Sequence, residues 1–212
     1  NDEPEKAKAC YRKALEKGIA VPERLIGEIY WRQFNDADHA EQYLQQAIDN
    51  GDAKACRILG NIYRDKRKKY AEAETMYQKA ISCGDSSTWL NKGNLYRNNL
   101  KDFPKAETCY LKAVEAGHTE GWRFLGILYA DHIKDYPKAE EFYQKAIAEG
   151  ETFAWGNLGD MYRNSLRDFA QAEICYFKAA EAGHAEGWHS LGILYTDNFK
   201  DYPKAEKYYQ KA

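Results

Sequence analysis

The sequence predicts an all-α fold, a right-handed α-solenoid of antiparallel helix hairpins. Three residue types recur with a step of 33 residues along the 212-residue chain, and a fixed period of this size is typical of stacked helical repeats. The series are the glycines Gly27, Gly60, Gly93, Gly126, Gly159 and Gly192, the tyrosines Tyr30, Tyr63, Tyr96, Tyr129, Tyr162 and Tyr195, and the alanines Ala7, Ala40, Ala73, Ala106, Ala139, Ala172 and Ala205. We therefore expect a single repeat domain over residues 1–212, made of a leading helix near residues 4–17 and six hairpins.

The repeat at residues 118–150 shows why each unit should be a pair of helices. Apolar residues at helical spacing indicate a first helix around Trp122, Gly126 and Tyr129, followed by a second helix over residues 136–147. The spacing places the apolar side chains of each helix on one face. Each repeat is thus predicted to bury its apolar residues between its two helices.

The second helix of this repeat has recognisable ends. Asp135 is a good N-cap residue, and Pro137 falls in the first turn, where its missing N–H has no helical partner to lose. Gly150 suits the left-handed conformation that closes many helices.

Gly126 lies inside the first helix, where glycine costs about 1 kcal/mol relative to alanine. We expect this cost to be accepted because Ala139 or Ala146 of the second helix approaches it closely.

These residues carry a family resemblance. Leu-Gly-x-x-Tyr at Leu125–Tyr129, then Ala-x-x-x-Tyr-x-x-Ala-x-x-x-Gly at Ala139–Gly150, resembles the helical hairpins of tetratricopeptide and Sel1-like repeats. The spacing of the second half matches Sel1-like repeats, whereas the shorter turn between the helices looks more like a tetratricopeptide repeat. The resemblance covers the whole chain and implies the solenoid fold, whereas it carries almost no information about activity.

Composition narrows the function classes. Hydrophobic residues make up 44% and charged residues 30%, and the net charge is −2, which disfavours a protein that coats nucleic acid. No run of about 18 apolar residues predicts a membrane span. The five cysteines are odd in number and form no Cys-x-x-Cys motif. We therefore expect reduced thiols and a cytoplasmic location, although a signal upstream of this segment would change that assignment.

No catalytic or metal-binding motif is present in the sequence. The five histidines show no metal-ligand spacing, and no phosphate loop or nucleophile elbow appears. We expect surface or helix-capping histidines, no enzyme activity, no cofactor and no metal. Two further series are expected to be structural: glutamates on a solvated face (Glu74, Glu107, Glu140, Glu173 and Glu206) and tryptophans in the helix-packing core (Trp89, Trp122, Trp155 and Trp188).

The candidate binding surface is the wall formed by the first helices. In stacked hairpins these helices line the concave side, and such walls bind extended or helical peptides. Relative to each repeat glycine, the wall positions should be the sixth and third residues before it and the first, fourth and fifth after it. The predicted peptide-binding residues on this wall are Arg24, Trp31, Arg57, Asn61, Arg64, Asn94, Arg97, Asn98, Arg123, Asp131, Asp160, Arg163 and Asn164.

The wall is predicted to be polarised. Its positions hold six basic and two acidic residues in the first three hairpins, and two basic and five acidic residues in the last three. Arginine binds carboxylates through a planar fork, and asparagine pairs with both N–H and C=O groups. We expect a protein or peptide partner with its acidic end toward Arg24, Arg57, Arg64 and Arg97, and no small-molecule or nucleic-acid ligand.

Alternatives remain open at this point. The arginines could simply solvate a curved wall. The array could be a structural or regulatory arm of a larger protein whose effector or catalytic domain lies outside this segment. The sequence shows no polar capping helix at either end, which favours a segment of a longer array. Self-association through uncapped ends is a further alternative.

Overall fold

A computed structural model describes residue 13 and residues 22–212. In this part of the chain there are twelve α-helices and no strand, which confirms the predicted all-α architecture of successive helices. Apart from Lys13, the expected leading helix near residues 4–17 lies outside the described residues. The helices are α1 (Glu23–Arg32), α2 (Ala37–Asp49), α3 (Ala53–Ile62), α4 (Tyr70–Ser82), α5 (Thr88–Asn94), α6 (Phe103–Glu115), α7 (Glu120–Leu128), α8 (Tyr136–Ala148), α9 (Ala154–Asp160), α10 (Phe169–Glu181), α11 (Ala185–Leu194) and α12 (Tyr202–Tyr209).

The helices belong to two compact units, Asn1–Asp102 and Phe103–Ala212, called here the N-terminal and C-terminal units. In the N-terminal unit α1 packs on α2, α2 on α3, and α3 on α4. In the C-terminal unit α7 packs on α8, α9 on α10, α10 on α11, and α11 on α12. First helices of neighbouring pairs also contact one another, α1 with α3 and α7 with α9. The prediction of one continuous domain stays a prediction.

Five of the first helices end in a π-helical turn that the apolar pattern did not predict. In the C-terminal unit α7 continues as Tyr129–Ile133 and stops at Lys134, which has a φ of 65° in the left-handed region. The Asp135 N–H then donates to the Tyr129 carbonyl at 3.1 Å. This wide turn reverses the chain over few residues. The other π-helical turns are Tyr63–Arg67, Leu95–Leu100, Met161–Leu166 and Tyr195–Phe199.

The predicted ends of α8, the second helix of the repeat at residues 118–150, are confirmed. The Asp135 side chain accepts a hydrogen bond from the Lys138 N–H at 3.2 Å, and proline occupies the first turn of α8. Gly150 follows α8 with a φ of 87°, and the Glu151 N–H donates to the Ala146 carbonyl at 2.9 Å. The left-handed glycine thus satisfies carbonyls that the helix end would leave without partners.

The glycines inside α3, α7, α9 and α11 each pack against a tyrosine ring, and Gly27 inside α1 packs against Leu44. The expected contact of Gly126 with a small alanine side chain is therefore wrong. A Cβ added at Gly126 would lie 2.5 Å from the Tyr143 ring, and one added at Gly60 would lie 2.6 Å from the Tyr77 ring. Tyr77 is completely buried. The glycine is therefore needed to admit a large second-helix side chain, because burying an aromatic ring stabilises the pair more than the missing methyl costs.

The repeated glutamates of the second helices do not form a simple solvated face as expected. All but Glu206 accept a hydrogen bond from the first-helix tyrosine of the next pair, for example Tyr162 Oη to Glu140 Oε1 at 2.7 Å. Burial, together with Glu41, raises the pKa of Tyr63 to about 12. These bonds tie successive pairs together within each unit. The remaining bonds are Tyr63–Glu41, Tyr96–Glu74, Tyr129–Glu107 and Tyr195–Glu173.

The repeated tryptophans are half-buried packing residues, each beside a lysine. Trp188 packs against a core cluster that includes Leu191, and Lys211 Nζ lies 4.5 Å from the centre of its ring. Lysine over a tryptophan face adds a cation–π attraction to the packing. The other described pairs are Lys92 with Trp89, Lys145 with Trp122 and Lys178 with Trp155.

The described cysteines are free thiols. Cys56, Cys109 and Cys175 are buried and Cys83 is exposed, whereas Cys10 lies outside the described residues. Burial raises the pKa of Cys175 to about 12, so this thiol stays protonated and serves as a small apolar side chain.

Candidate functional site

The predicted wall residues lie on the first helices and their π-helical turns. The surface that these helices form within a unit is called here the first-helix face of that unit. In the N-terminal unit it comes from α1, α3 and α5 with their turns, and in the C-terminal unit from α7, α9 and α11. In α3, α7, α9 and α11 the helix glycine packs against a second-helix tyrosine, which holds the helix in place.

Three of the predicted arginines are bridges between neighbouring helix pairs. Each guanidinium reaches a carboxylate that precedes the next first helix. Asp52 also caps α3 by accepting from two backbone N–H groups. The positive charges of these arginines are therefore neutralised within the chain. The polarised wall expected from the sequence had treated them as available to a ligand. The bridges are Arg24 Nε–Asp52 Oδ2 at 2.8 Å, Arg57 Nε–Asp85 Oδ2 at 2.8 Å and Arg123 Nε–Glu151 Oε1 at 2.9 Å.

The arginines of the π-helical turns also have partners. Arg64 binds the Asp65 carboxylate with two parallel hydrogen bonds, Nε to Oδ1 at 2.6 Å and Nη2 to Oδ2 at 2.9 Å. These bonds raise the pKa of Arg64. Arg163 Nη2 lies 3.1 Å from Asp197 Oδ2. Arg97 Nε donates to Asn98 Oδ1 at 2.9 Å. The basic side of the face is thus largely occupied by local ion pairs and hydrogen bonds.

Two more predicted residues of the N-terminal unit support packing. Trp31 is half-buried against a core cluster, with Lys66 Nζ 5.8 Å from its ring centre. The Asn61 side chain accepts hydrogen bonds from Tyr77 Oη at 2.8 Å and from Asn91 Nδ2 at 3.1 Å. Asn61 therefore satisfies the hydroxyl of the tyrosine that packs on the helix glycine. Asn94 is half-buried at the end of α5.

The C-terminal unit has a pocket of about 270 Å³ on the first-helix face. It lies between α9 and α11, with a second-helix tyrosine at its base. Phe153 stands at its edge with 57% of its surface exposed. The lining residues are Arg123, Phe153, Gly156, Asn157, Asp160, Tyr176, Ala179, His184, Glu186, Gly187 and Ser190.

The pocket exists because Gly156 occupies an arginine position of the repeat. Among the described residues, an added Cβ at Gly156 would meet no heavy atom within 4 Å. His184 stands at the position of the acidic bridge partner, where its Nε2 lies 2.7 Å from Thr152 Oγ1 and its ring lies 3.9 Å from that of Phe153. His184 is thus part of a pocket, although the sequence suggested only a surface or capping role.

A second pocket of about 130 Å³ adjoins the first, because Asn157 and Asp160 line both. It extends toward the end of α7 and contains the predicted residues Asp131 and Asn164. Four of the predicted site residues, Arg123, Asp131, Asp160 and Asn164, therefore line these two adjoining pockets, which together are called here the groove. The pocket itself depends on Gly156, which the sequence did not single out as functional.

The groove has excess negative charge. Asp160 accepts a hydrogen bond from Tyr176 Oη at 2.8 Å. Burial raises the pKa of Asp160 above its usual value, although this hydrogen bond acts in the opposite direction. Glu186 adds a second carboxylate to the lining, while Arg123 is already paired with Glu151. The arrangement suits a cationic or hydrogen-bond-donating group.

No cluster of histidine, cysteine, aspartate or glutamate suited to a metal ion occurs among the residues that the structure describes. In the same residues, no helix has the length and apolar character needed to cross a bilayer.

Models of two repeat families match successive parts of the chain. The Sel1 repeat model matches residues 2–19, 26–52, 157–184 and 191–212, and tetratricopeptide repeat models match residues 55–84 and 90–152. A comparison with curated protein sequences gives no match.

Solved structures share the fold. A Sel1 repeat protein from Oxalobacter formigenes is 23% identical with a TM-score of 0.66, over 99% of this chain and 93% of that one. The protective antigen c5321, present in uropathogenic Escherichia coli strains, is 24% identical with a TM-score of 0.64, over 95% of this chain and 47% of the antigen. This chain thus spans about half of the antigen's length.

The structure of the APC/C hetero-tetramer Cut9–Hcn1 is 17% identical with a TM-score of 0.63, over 99% of this chain and 43% of that one. Together the repeat models and the fold define the class: this chain is a Sel1/TPR-like repeat protein. Repeats of this type typically form scaffolds for protein–protein interaction, and the fold is generally non-enzymatic.

Proposed function

We propose that this protein is a non-enzymatic interaction scaffold that binds a peptide segment along the first-helix face of the C-terminal unit. The observation that carries the proposal is the pocket around Gly156, which opens on the same helices that the sequence predicted as a wall. Peptide-binding repeat proteins use such faces, with side-chain pockets providing specificity.

The two adjoining pockets support an extended ligand. They share Asn157 and Asp160 and together cross three first helices. An extended peptide can place one side chain in each pocket while its backbone pairs with side chains between them. Asn157 is suited to the backbone because its amide both donates and accepts hydrogen bonds.

The acidic-ended partner expected from the sequence is less well supported. Arg24, Arg57 and Arg64 each donate to an aspartate of the chain, and Arg97 donates to Asn98. A ligand carboxylate would have to compete with these intramolecular partners. We therefore place the ligand's anchoring side chain in the C-terminal unit.

The structural neighbours agree with a binding role. Cut9–Hcn1 is a hetero-tetramer, so this fold occurs there within a protein assembly. We propose the same mode for this chain, a helical repeat in contact with another chain, with a partner of its own.

The test is selection of peptides from a random library on the 212-residue chain, followed by affinity measurements with variants. Gly156→Trp should fill the pocket and weaken binding at least tenfold. Ile174→Trp is the matched control, because Ile174 is 47% exposed on the second helix α10 of the same unit. Circular dichroism should show equal helicity. If the selected peptides bind Gly156→Trp as tightly as the unsubstituted chain, the proposal is wrong.

A further inference from the structure

We propose that the pocket around Gly156 receives an arginine side chain of the peptide partner, a specificity that rests on the proposed function of this surface. The inference comes from what the pocket contains and from what fills the equivalent place in the N-terminal unit.

In the N-terminal unit the chain places its own arginine at this position. Arg57 is the equivalent of Gly156, and its guanidinium bridges to Asp85, the equivalent of His184. The C-terminal unit keeps the surrounding tyrosine and alanine, as Tyr176 and Ala179, but lacks the guanidinium. The pocket therefore lies where this repeat otherwise accommodates an arginine side chain.

The acceptors for an incoming guanidinium are present in the pocket. Asp160 and Glu186 both line it, at positions that hold the uncharged Asn61 and Ser87 in the N-terminal unit. The N-terminal unit thus has its carboxylate at the bridge position, whereas the C-terminal unit has its carboxylates at two other positions around the pocket. A guanidinium with five N–H donors can satisfy two carboxylates at once, which an ammonium point charge does less well.

The nearby arginines already have carboxylate partners, although Arg163 also acts on Asp160 and lowers its pKa against the effect of burial. Arg123 donates to Glu151 and lies 4.6 Å from the Phe124 ring centre. Arg163 donates to Asp197. On the third side, His184 makes its polar contact with Thr152. The pocket therefore keeps the carboxylates of Asp160 and Glu186 for a ligand cation.

Phe153 provides an aromatic surface at the pocket edge. His184 covers one part of its ring, at a centroid distance of 3.9 Å, yet 57% of the residue remains exposed. Planar guanidinium groups stack on aromatic rings, and the three methylenes of arginine can cover apolar surface. An aromatic edge next to two carboxylates therefore favours arginine over lysine.

The experiment uses the peptides selected on the 212-residue chain whose binding is lost in Gly156→Trp. These peptides should contain a common arginine. Replacing it with citrulline, which keeps the shape and removes the charge, should weaken binding at least tenfold, and replacement with lysine should weaken it less. Affinity should also fall as salt concentration rises.

Variants of the protein provide the second arm. Asp160→Asn and Glu186→Gln should each weaken the arginine peptides about tenfold, whereas Glu120→Gln, at the equivalent position of α7 outside the pocket, should leave affinity unchanged. Peptides that depend on Gly156 but lack arginine, or that tolerate citrulline and both variants, would overturn the arginine assignment and leave the proposed function intact. A complete absence of Gly156-dependent peptides would overturn both.

Discussion

The two units build the same corner of the helical repeat in opposite ways. In the N-terminal unit Arg57 extends from α3 to Asp85 and closes the surface with an ion pair. In the C-terminal unit glycine and histidine take these positions at Gly156 and His184, and a pocket of about 270 Å³ opens. The same helices and tyrosine packing lie beneath both. The closed and the open surface thus differ at two repeat positions, where Arg57 and Asp85 stand against Gly156 and His184.

The two units also differ in the group that accepts a hydrogen bond from the buried tyrosine below this corner. Tyr77 donates to the amide oxygen of Asn61, whereas Tyr176 donates to the carboxylate of Asp160. Either group satisfies the tyrosine, but desolvation raises the pKa of Asp160 and makes its charged form less favourable than that of a free carboxylate. The C-terminal unit keeps a charge that packing alone does not need, which is a common feature of binding sites.

The largest effect should come from exchanging the two corners. Gly156→Arg with His184→Asp should rebuild the Arg57–Asp85 bridge in the C-terminal unit, fill the pocket and abolish peptide capture while keeping helicity. Isothermal titration with the selected peptides measures this. The reciprocal variant, Arg57→Gly with Asp85→His, should leave capture unchanged. Retained binding in the first variant would show that the pocket is not the site.

Next in size is the loss of the bridge itself. Arg57→Met should destabilise the chain by about 2 to 3 kcal/mol, because Asp85, whose side chain is only 9% exposed, loses a charged hydrogen-bond donor. Urea unfolding monitored by circular dichroism measures the change. A variant as stable as the unsubstituted chain would contradict a structural role for the bridge.

The same bridge sets a pH dependence. Burial opposes ionisation of Asp85, but hydrogen bonds from Ser87 and Arg57 outweigh it and keep the pKa of Asp85 below its usual value of 3.8. A lowered folded-state pKa gives stability that is present above the unfolded pKa and is lost as pH falls through the folded pKa. The deficit of Arg57→Met should therefore shrink as the pH is lowered below about 4.

A smaller effect separates two glycines of α9. A Cβ at Gly159 would lie 2.7 Å from the buried Tyr176 ring, whereas one at Gly156 meets no described heavy atom within 4 Å. Gly159→Ala should destabilise by about 1 to 2 kcal/mol, and Gly156→Ala should stabilise by up to about 1 kcal/mol because alanine favours the helix. Thermal and urea unfolding measure the stability of the two variants. Equal changes in stability would contradict the packing of Gly159 against Tyr176.

The smallest effect concerns Asp160→Asn, which copies Asn61 of the N-terminal unit. The pKa of Asp160 is raised in the folded state. Protonated Asp160 therefore contributes stability below the unfolded-state pKa, and this contribution is lost as the pH rises through the folded-state pKa. The variant should therefore be slightly more stable than the unsubstituted chain at pH 7, with the difference shrinking toward pH 4. Urea unfolding at the two pH values tests this, and a less stable variant at pH 7 would contradict it.

Much of the packing was predictable because it depends on local periodicity. Asp135 and Gly150 were assigned correctly as helix ends. The partner of Gly126 was assigned incorrectly, since spacing along two helices does not determine which side chain, alanine or Tyr143, crosses between them. The Tyr162–Glu140 hydrogen bond was not predicted, although both residues recur at constant spacing.

By itself the sequence determined that the chain forms paired helices with glycine, tyrosine and alanine at their contacts, because those features follow from short-range geometry. Only the tertiary structure decided which wall residues remain available. Arg57 finds its carboxylate on the next helix pair, 28 residues away, so its apparent charge is neutralised. Gly156 matters through the space it leaves, and that space exists only when α9 and α11 lie side by side.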